Sequence, residues 1–211
     1  LPDPLLGSTW PIMRLEFGVP AGNAGLVSMV ISVGTIVSSL LTHRLISRMG
    51  TGRLTLLSVF LTAAALLGFA LAPSFFWLPV LALPLGLGAG AVDAGLNDFV
   101  ARHYEARHMN WLHCFWGVGA MLGPVLISAL TQGGHSWRSG YFTISMIQFF
   151  LVFLLVFSLK GWKKYETPQH SAGKKAEAGE KNQGALAPLR AKGAGFALLA
   201  FFFYSSVEAS M

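Results

Sequence analysis

The residues from Leu54 to Val92 form a run of 39 residues without a charged side chain. As one helix this run would be roughly 58 Å long, at about 1.5 Å per residue. The hydrocarbon core of a bilayer is only about 30 Å thick, so the run must fold back on itself as two membrane-spanning helices. Because proline ends a helix at the preceding residue, the turn is expected at Pro73-Ser74.

The composition also indicates a membrane protein. Hydrophobic residues make up 54% of the chain and charged residues 11%, whereas soluble domains carry about 25% charged residues. The net charge of +6 does not indicate nucleic-acid binding, because the basic residues lie in short segments between apolar runs. The single cysteine, Cys114, excludes an internal disulfide and a cysteine pair for zinc.

The apolar runs predict an all-α protein, and we find no period-two strand pattern. Residues 1–160 are expected to form one transmembrane bundle of six spans, of which the first is truncated. Residues 161–192 are rich in Lys, Glu, Gly and Ala, which predicts a disordered linker, and residues 193–211 are expected to begin a seventh span. The six spans are predicted at residues 1–13, 24–42, 54–72, 76–100, 109–131 and 139–159.

The basic residues predict the orientation of these spans. Eight of the 15 lie between Lys160 and Lys192, and five more lie between spans two and three or four and five. Only Arg14 and Arg138 fall on the opposite side. Because Lys and Arg accumulate in cytoplasmic loops, the linker side is predicted to be cytoplasmic, and the protein to be a multi-pass protein of the cell membrane.

Asp93 is the clearest polar residue inside a span. A carboxylate near the centre of a spanning helix costs about 2.5–3.5 kcal/mol and usually faces a bundle interior or a water-filled cavity. Gly86, Gly90 and Asn97 share its helical face, and the two glycines would let a neighbouring helix come close. A structural carboxylate bonded to that neighbour is the alternative interpretation. Asp98, nearer the cytoplasmic end, is expected to pair with a loop arginine.

Further polar side chains within or near the spans are candidates for the same pathway. Each has an ordinary alternative, because a buried polar group can equally form an interhelical hydrogen bond. Histidines 103, 108 and 113 are five residues apart, which spreads them around a helix and argues against a metal site. The candidates are Asp3 as a second proton site and Asn97, Asn110, His113, Gln148, Tyr204 and Glu208 as substrate ligands.

The segment between spans two and three reads HRLISRMGTGRL. It resembles the signature loop of the major facilitator superfamily, Gly-x-Leu-x-Asp-Arg-x-Gly-Arg/Lys, although Ser47 stands in place of the aspartate. The resemblance implies that Arg48, Gly50 and Arg53 belong to that family's gating loop.

The fourth span reads GAVDAGLNDFV and resembles the fourth span of the fucose permease branch of this superfamily. That branch has an acidic residue followed by asparagine and phenylalanine, as at Asp93, Asn97 and Phe99. Its acidic residue takes up the proton that accompanies sugar binding, which implies the same role for Asp93. The branch's first-span aspartate would fall at Gly7, and Asp3 lies one turn earlier.

Tyr204 and Glu208 resemble a Tyr-x-x-x-Glu element in the seventh span of related sugar transporters. The resemblance covers the whole chain but only the first half of a family member. It implies a major facilitator-type six-helix N-terminal bundle, a cytoplasmic linker and the start of a seventh transmembrane helix. The substrate site of such transporters lies between two bundles, so one half of a family member is not expected to transport a substrate by itself.

The predicted function is proton-coupled uptake of a sugar or sugar-like molecule, with the proton as coupling ion and no other cofactor. The alternative is proton-coupled efflux of drugs or metabolites, because Gly119 to Pro124 resembles part of a glycine-rich antiporter motif. An intramembrane enzyme is not expected, since the predicted spans lack Gly-x-Gly-Asp and a histidine paired with an acid one turn away. The expected partners are a small-molecule substrate and the lipid bilayer, with no nucleic acid and no obligate protein partner.

Overall fold

The computed structural model describes residues 2–166, with side chains described for residues 4–162. This part of the chain is all α-helical, as predicted, and α2 to α6 are each long and apolar enough to cross a membrane. The helices are α1 (Pro2–Phe17), α2 (Asn23–Met49), α3 (Thr51–Leu71), α4 (Trp77–His103), α5 (Ala106–Gln132) and α6 (Trp137–Glu166).

The connections between these helices are short, and glycine makes the sharpest of them possible. Gly50 is the only residue between α2 and α3, and its φ of 81° is one that side-chain-bearing residues rarely adopt. Gly134, with a φ of 82°, has the same function between α5 and α6. Consecutive helices therefore reverse direction over one to five residues.

The helices extend beyond the apolar runs that predict them. Residues 43–49 complete α2 and residues 51–53 begin α3, so the segment expected as a loop is helical except at Gly50. Similarly, α6 continues to Glu166, six residues into the predicted linker. Hydropathy marks only the apolar layer, whereas Arg, Lys and Glu remain good helix formers beyond it. The rest of the predicted linker and the predicted seventh span lie outside the described residues.

The hydrophobic core draws buried side chains from all six helices, including Val27 and Ile31 of α2 and Ile127 of α5. Phe69 of α3 stacks on Tyr141 of α6, with ring centroids 5.6 Å apart. The hydroxyls of Tyr141 and Thr9 are 3.1 Å apart, and Ser145 donates a hydrogen bond of 2.8 Å to the carbonyl of Ala63. These polar contacts satisfy buried hydroxyls between apolar side chains, as membrane helices require.

Contacts between distant residues identify the two ends of the bundle. At one end, which we call the Arg138 end, Arg138 of α6 contacts Glu16 of α1 and the carbonyl of Ala72 after α3. At the other, which we call the basic end, Trp162 of α6 packs against Gly52 at the start of α3 and Phe99 near the end of α4. The turns between α2 and α3 and between α4 and α5 therefore lie together at the basic end.

Candidate functional site

Helix α4 is held between α2 and α3 by contacts at three glycines. A Cβ at Gly86 or Gly90 would collide with the backbone of α2, at Ile31 and Thr35 respectively, and one at Gly88 would lie 2.6 Å from the carbonyl oxygen of Ser58 in α3. The close approach expected at Gly86 and Gly90 is thus confirmed, with α2 as the neighbour.

Two hydroxyls of α2 add hydrogen bonds to this contact. Thr35 and Ser39 donate to the carbonyl oxygens of Gly86 and Gly90, each at 3.3 Å. Both the donors and the acceptors are four residues apart, so the two bonds repeat with the helical turn. Together with the glycine contacts, they fix the rotation of α4 and therefore the direction in which Asp93 points.

Asp93 and Asn97 lie one turn apart on α4 and interact directly. The Asn97 amide donates to the Asp93 carboxylate at 3.4 Å, which is long for such a bond and therefore weak. Asp93 is exposed on the described bundle, whereas Asn97 is half-buried. The Asn97 side-chain oxygen is buried and accepts no hydrogen bond within the described part of the chain. The exposed Asp93 carboxylate can therefore accept a hydrogen bond from a hydroxyl or a water, while the Asn97 oxygen is a buried acceptor without a described partner.

The depth of Asp93 in the helix distinguishes it from Asp98. Asp93 lies ten residues before the end of α4 at His103, which is about 15 Å along the axis and near the middle of an apolar layer of about 30 Å. Asp98 instead accepts a hydrogen bond of 2.8 Å from the guanidinium of Arg102 at the basic end. The predicted ion pair of Asp98 is confirmed. Among the described side chains, Asp93 forms no such pair.

The candidates on α5 and α6 remain separate from this pair. Asn110 and His113 are exposed on α5, and no hydrogen bond among the described residues joins them to α4. Gln148 is half-buried on α6, on the same face as Tyr141, and its side-chain oxygen is buried with no partner in the described region. Within residues 2–166, no three His, Cys, Asp or Glu residues are grouped so as to hold a metal ion.

The remaining candidates lie at the edges of the described region or beyond it. Asp3 belongs to α1, but its side chain is outside the described set, and Tyr204 and Glu208 are outside the described residues. In the predicted gating loop, Arg48 and Arg53 are exposed on either side of Gly50.

Sequence analysis missed one group of interacting residues at the Arg138 end. Glu16 accepts a hydrogen bond from the Trp137 indole at 2.6 Å and forms an ion pair with the Arg138 guanidinium at 2.9 Å. The same guanidinium donates to the carbonyl oxygen of Ala72 at 3.0 Å and lies 4.4 Å from the centroid of the Trp137 ring. The only sequence signal for this contact was the position of Glu16 and Arg138, which each lie at the edge of an apolar run.

Comparison with known proteins places this geometry in a family of transporters. The chain is 32% identical over 158 residues to an uncharacterized transporter, y4wD, of Sinorhizobium fredii, a match that covers 62% of this chain and 40% of that protein. It is 25% identical over 147 residues to the glucose/mannose transporter GlcP of Bacillus subtilis, which covers 69% of this chain and 36% of GlcP. The chain therefore spans two fifths or less of the length of these relatives.

A third relative, the putative metabolite transport protein YncC of Bacillus subtilis, is 31% identical over 122 residues, which covers 54% of this chain and 26% of that protein. No solved structure gives a significant match. The sequence profile described as Major Facilitator Superfamily matches residues 4–211. Because this profile covers nearly the whole chain and the described part is a six-helix all-α bundle, the chain belongs to the major facilitator superfamily.

Proposed function

We propose that the complete gene product is a secondary transporter that takes up a neutral sugar or sugar-like molecule together with a proton. The observation that carries this proposal is Asp93, an exposed carboxylate at mid-depth of an apolar helix with no ion-pair partner among the described side chains. If this carboxylate faced lipid, its charge would raise the free energy of membrane insertion by about 2.5–3.5 kcal/mol. A water-filled cavity removes most of this cost, so we assign the exposed face of α4 to the transport pathway.

In this mechanism Asp93 binds the proton and Asn97 binds the substrate beside it. Protonation removes the carboxylate charge, so the cavity can close around a neutral site without burying an ion. The buried acceptor oxygen of Asn97 suits a sugar hydroxyl, and Asn110, His113 and Gln148 are proposed as further ligands. When the cavity opens to the cytoplasm, water again solvates the carboxylate and the proton leaves.

The names of two relatives support a sugar or similar metabolite as the transported substrate. GlcP is named as a glucose/mannose transporter and YncC as a putative metabolite transport protein. Membership of the fucose permease branch is part of the same proposal and rests on the spacing of Asp93, Asn97 and Phe99. We also propose a location in the cell membrane, with the basic end and the linker on the cytoplasmic side. Asp3 is proposed as a second proton site, and Tyr204 and Glu208 are proposed as further substrate ligands.

The decisive experiment compares Asp93→Asn with Asp98→Asn in membrane vesicles that contain the complete gene product. Asp98 is a matched control, because it lies on the same helix but is neutralised by Arg102. In wild type and Asp98→Asn, addition of a transported sugar should make the external medium alkaline as protons enter. Asp93→Asn should lose this signal and proton-driven accumulation, while it still exchanges internal for external sugar. Intact accumulation by Asp93→Asn would refute the assignment.

A proton-coupled efflux antiporter is the second candidate function. Its support is the stretch from Gly119 to Pro124 on α5, where Gly123 lets that helix approach Leu5 of α1: a Cβ at Gly123 would lie 2.8 Å from the Leu5 side chain. If this function is correct, no sugar will alter the pH, and cells that lack the gene will become more sensitive to an exported compound.

A further inference from the structure

The basic end carries five arginines on α2 to α5, and they differ in whether an acid neutralises them. Arg102 pairs with Asp98 at 2.8 Å, and Arg107 pairs with Glu105 at 3.1 Å. The other three are exposed and form no ion pair within the described part of the chain. These three, which we call the arginine triad, are Arg44, Arg48 and Arg53.

The local geometry concentrates the charge of the arginine triad. Arg44 and Arg48 are one turn apart on α2 and therefore neighbours on its surface. Because Gly50 alone separates α2 from α3, Arg53 follows in the first turn of the next helix. Ser47 carries no charge, and its hydroxyl donates to the backbone carbonyl of Arg44 at 2.8 Å. Three positive charges are thus close together without a described counter-charge.

Aromatic side chains place the arginine triad at the height of the lipid headgroups. Trp162 contacts both Gly52 and Phe99, so the turn between α4 and α5 lies at the same end of the bundle as the triad. At that turn, Tyr104 is 46% exposed, and Trp111 in α5 is 66% exposed. Exposed Tyr and Trp at the ends of spanning helices are typical of the membrane–water interface.

We propose that the arginine triad binds the phosphodiester headgroup of an anionic phospholipid. Guanidinium groups match phosphate oxygens in geometry and charge, and an exposed basic cluster beside a membrane is attracted to anionic lipid. Free phosphate would offer the same chemistry, but the height of the triad favours a lipid. If the arginines only oriented the helices during insertion, the folded protein would not select a lipid class. This proposal does not depend on the role of Asp93.

The test uses the complete gene product in nanodiscs of phosphatidylcholine, with and without phosphatidylglycerol. Phosphatidylglycerol should raise the midpoint of thermal unfolding of wild type, and mass spectrometry should find this lipid retained over phosphatidylcholine. Retention should fall at least about fivefold in Arg44→Gln/Arg48→Gln/Arg53→Gln. The matched control, Arg102→Gln/Arg107→Gln, removes two paired arginines from the same end and should keep the preference. Retention of phosphatidylglycerol by wild type should also decline as the salt concentration rises. This measurement uses wild type alone, so it tests the proposal even if the triple variant does not fold.

Three results would overturn the proposal. Wild type could show no preference for phosphatidylglycerol at any salt concentration. Both variants could lose the preference equally, which would mean that the total positive charge of this end, rather than the arginine triad, selects the lipid. Inorganic phosphate or glycerol phosphate, added to phosphatidylcholine nanodiscs, could raise the unfolding midpoint as much as phosphatidylglycerol does, which would assign the triad to a soluble anion.

Discussion

Glu16 and Arg138 are distant in sequence but join three helix ends. Glu16 is near the end of α1 and Arg138 is at the start of α6, and their side chains are 2.9 Å apart. Arg138 also donates to the carbonyl of Ala72, the residue that ends α3. The Arg138 side chain is only 29% exposed, so water competes less for it than for an ordinary surface arginine. At the residue scale, Arg138 links its own helix to the ends of α1 and α3 through Glu16 and the Ala72 carbonyl.

We predict that Arg138→Gln lowers the stability of the bundle. The substitution removes an ion pair with the Glu16 carboxylate and a hydrogen bond to the Ala72 carbonyl, which together should cost about 1–3 kcal/mol. The measurement is the midpoint of thermal unfolding of the complete gene product in detergent. Arg14→Gln is the matched control, because Arg14 is at the same end but makes no ion pair among the described side chains. An equal effect of both changes would mean that net charge, rather than this contact, stabilises the end.

At the scale of helices, the contact between α2 and α4 depends on the absence of side chains. A methyl group at Gly90 would overlap the carbonyl oxygen of Thr35, which is backbone and cannot move aside. Gly90→Ala should therefore force the two helices apart and destabilise the bundle by about 1–3 kcal/mol. Gly117→Ala in α5 is the control, because nothing lies within 4 Å of its added methyl group. Thermal unfolding should place Gly90→Ala below wild type and Gly117→Ala at or above it.

The helices could be predicted from the sequence, but their neighbours could not. Apolar length is a local property, so the runs identify α2 to α6 before any contact is known. Gly86 and Gly90 signal a close approach, yet a missing side chain does not identify the helix that approaches. The contact of Glu16 with Arg138 was invisible because their helices meet only in the folded chain. The end of α6 was placed too early because hydropathy stops at the apolar layer, whereas helix propensity does not.

The candidate site was predicted only where it depends on a single helix. Asp93 and Asn97 are four residues apart on α4, so their shared face follows from the helical repeat and their contact is observed. Whether Asn110, His113 and Gln148 join them depends on how α5 and α6 pack, which the sequence pattern does not specify. The assignment of these three residues to the substrate stays a prediction.

At the scale of the whole molecule, charge is distributed unevenly between the two ends. In the described part of the chain, the basic end carries five arginines near the ends of α2 to α5, whereas the Arg138 end carries Arg14 and Arg138. Arg138 is neutralised by Glu16, which makes the contrast larger. Because the membrane insertion process retains Lys and Arg on the cytoplasmic side, we expect the basic end to face the cytoplasm.

This orientation can be measured with two single-cysteine variants. Cys114 is exposed and would react itself, so Cys114→Ala provides the background. His135→Cys places a thiol in the exposed turn between α5 and α6 at the Arg138 end, and Ser47→Cys places one at the basic end. In intact cells, a membrane-impermeant maleimide should label only the cysteine at position 135, and permeabilised cells should show labelling at both positions. The reverse pattern would place the arginine triad outside the cell, and its lipid partner would then have to come from the outer leaflet.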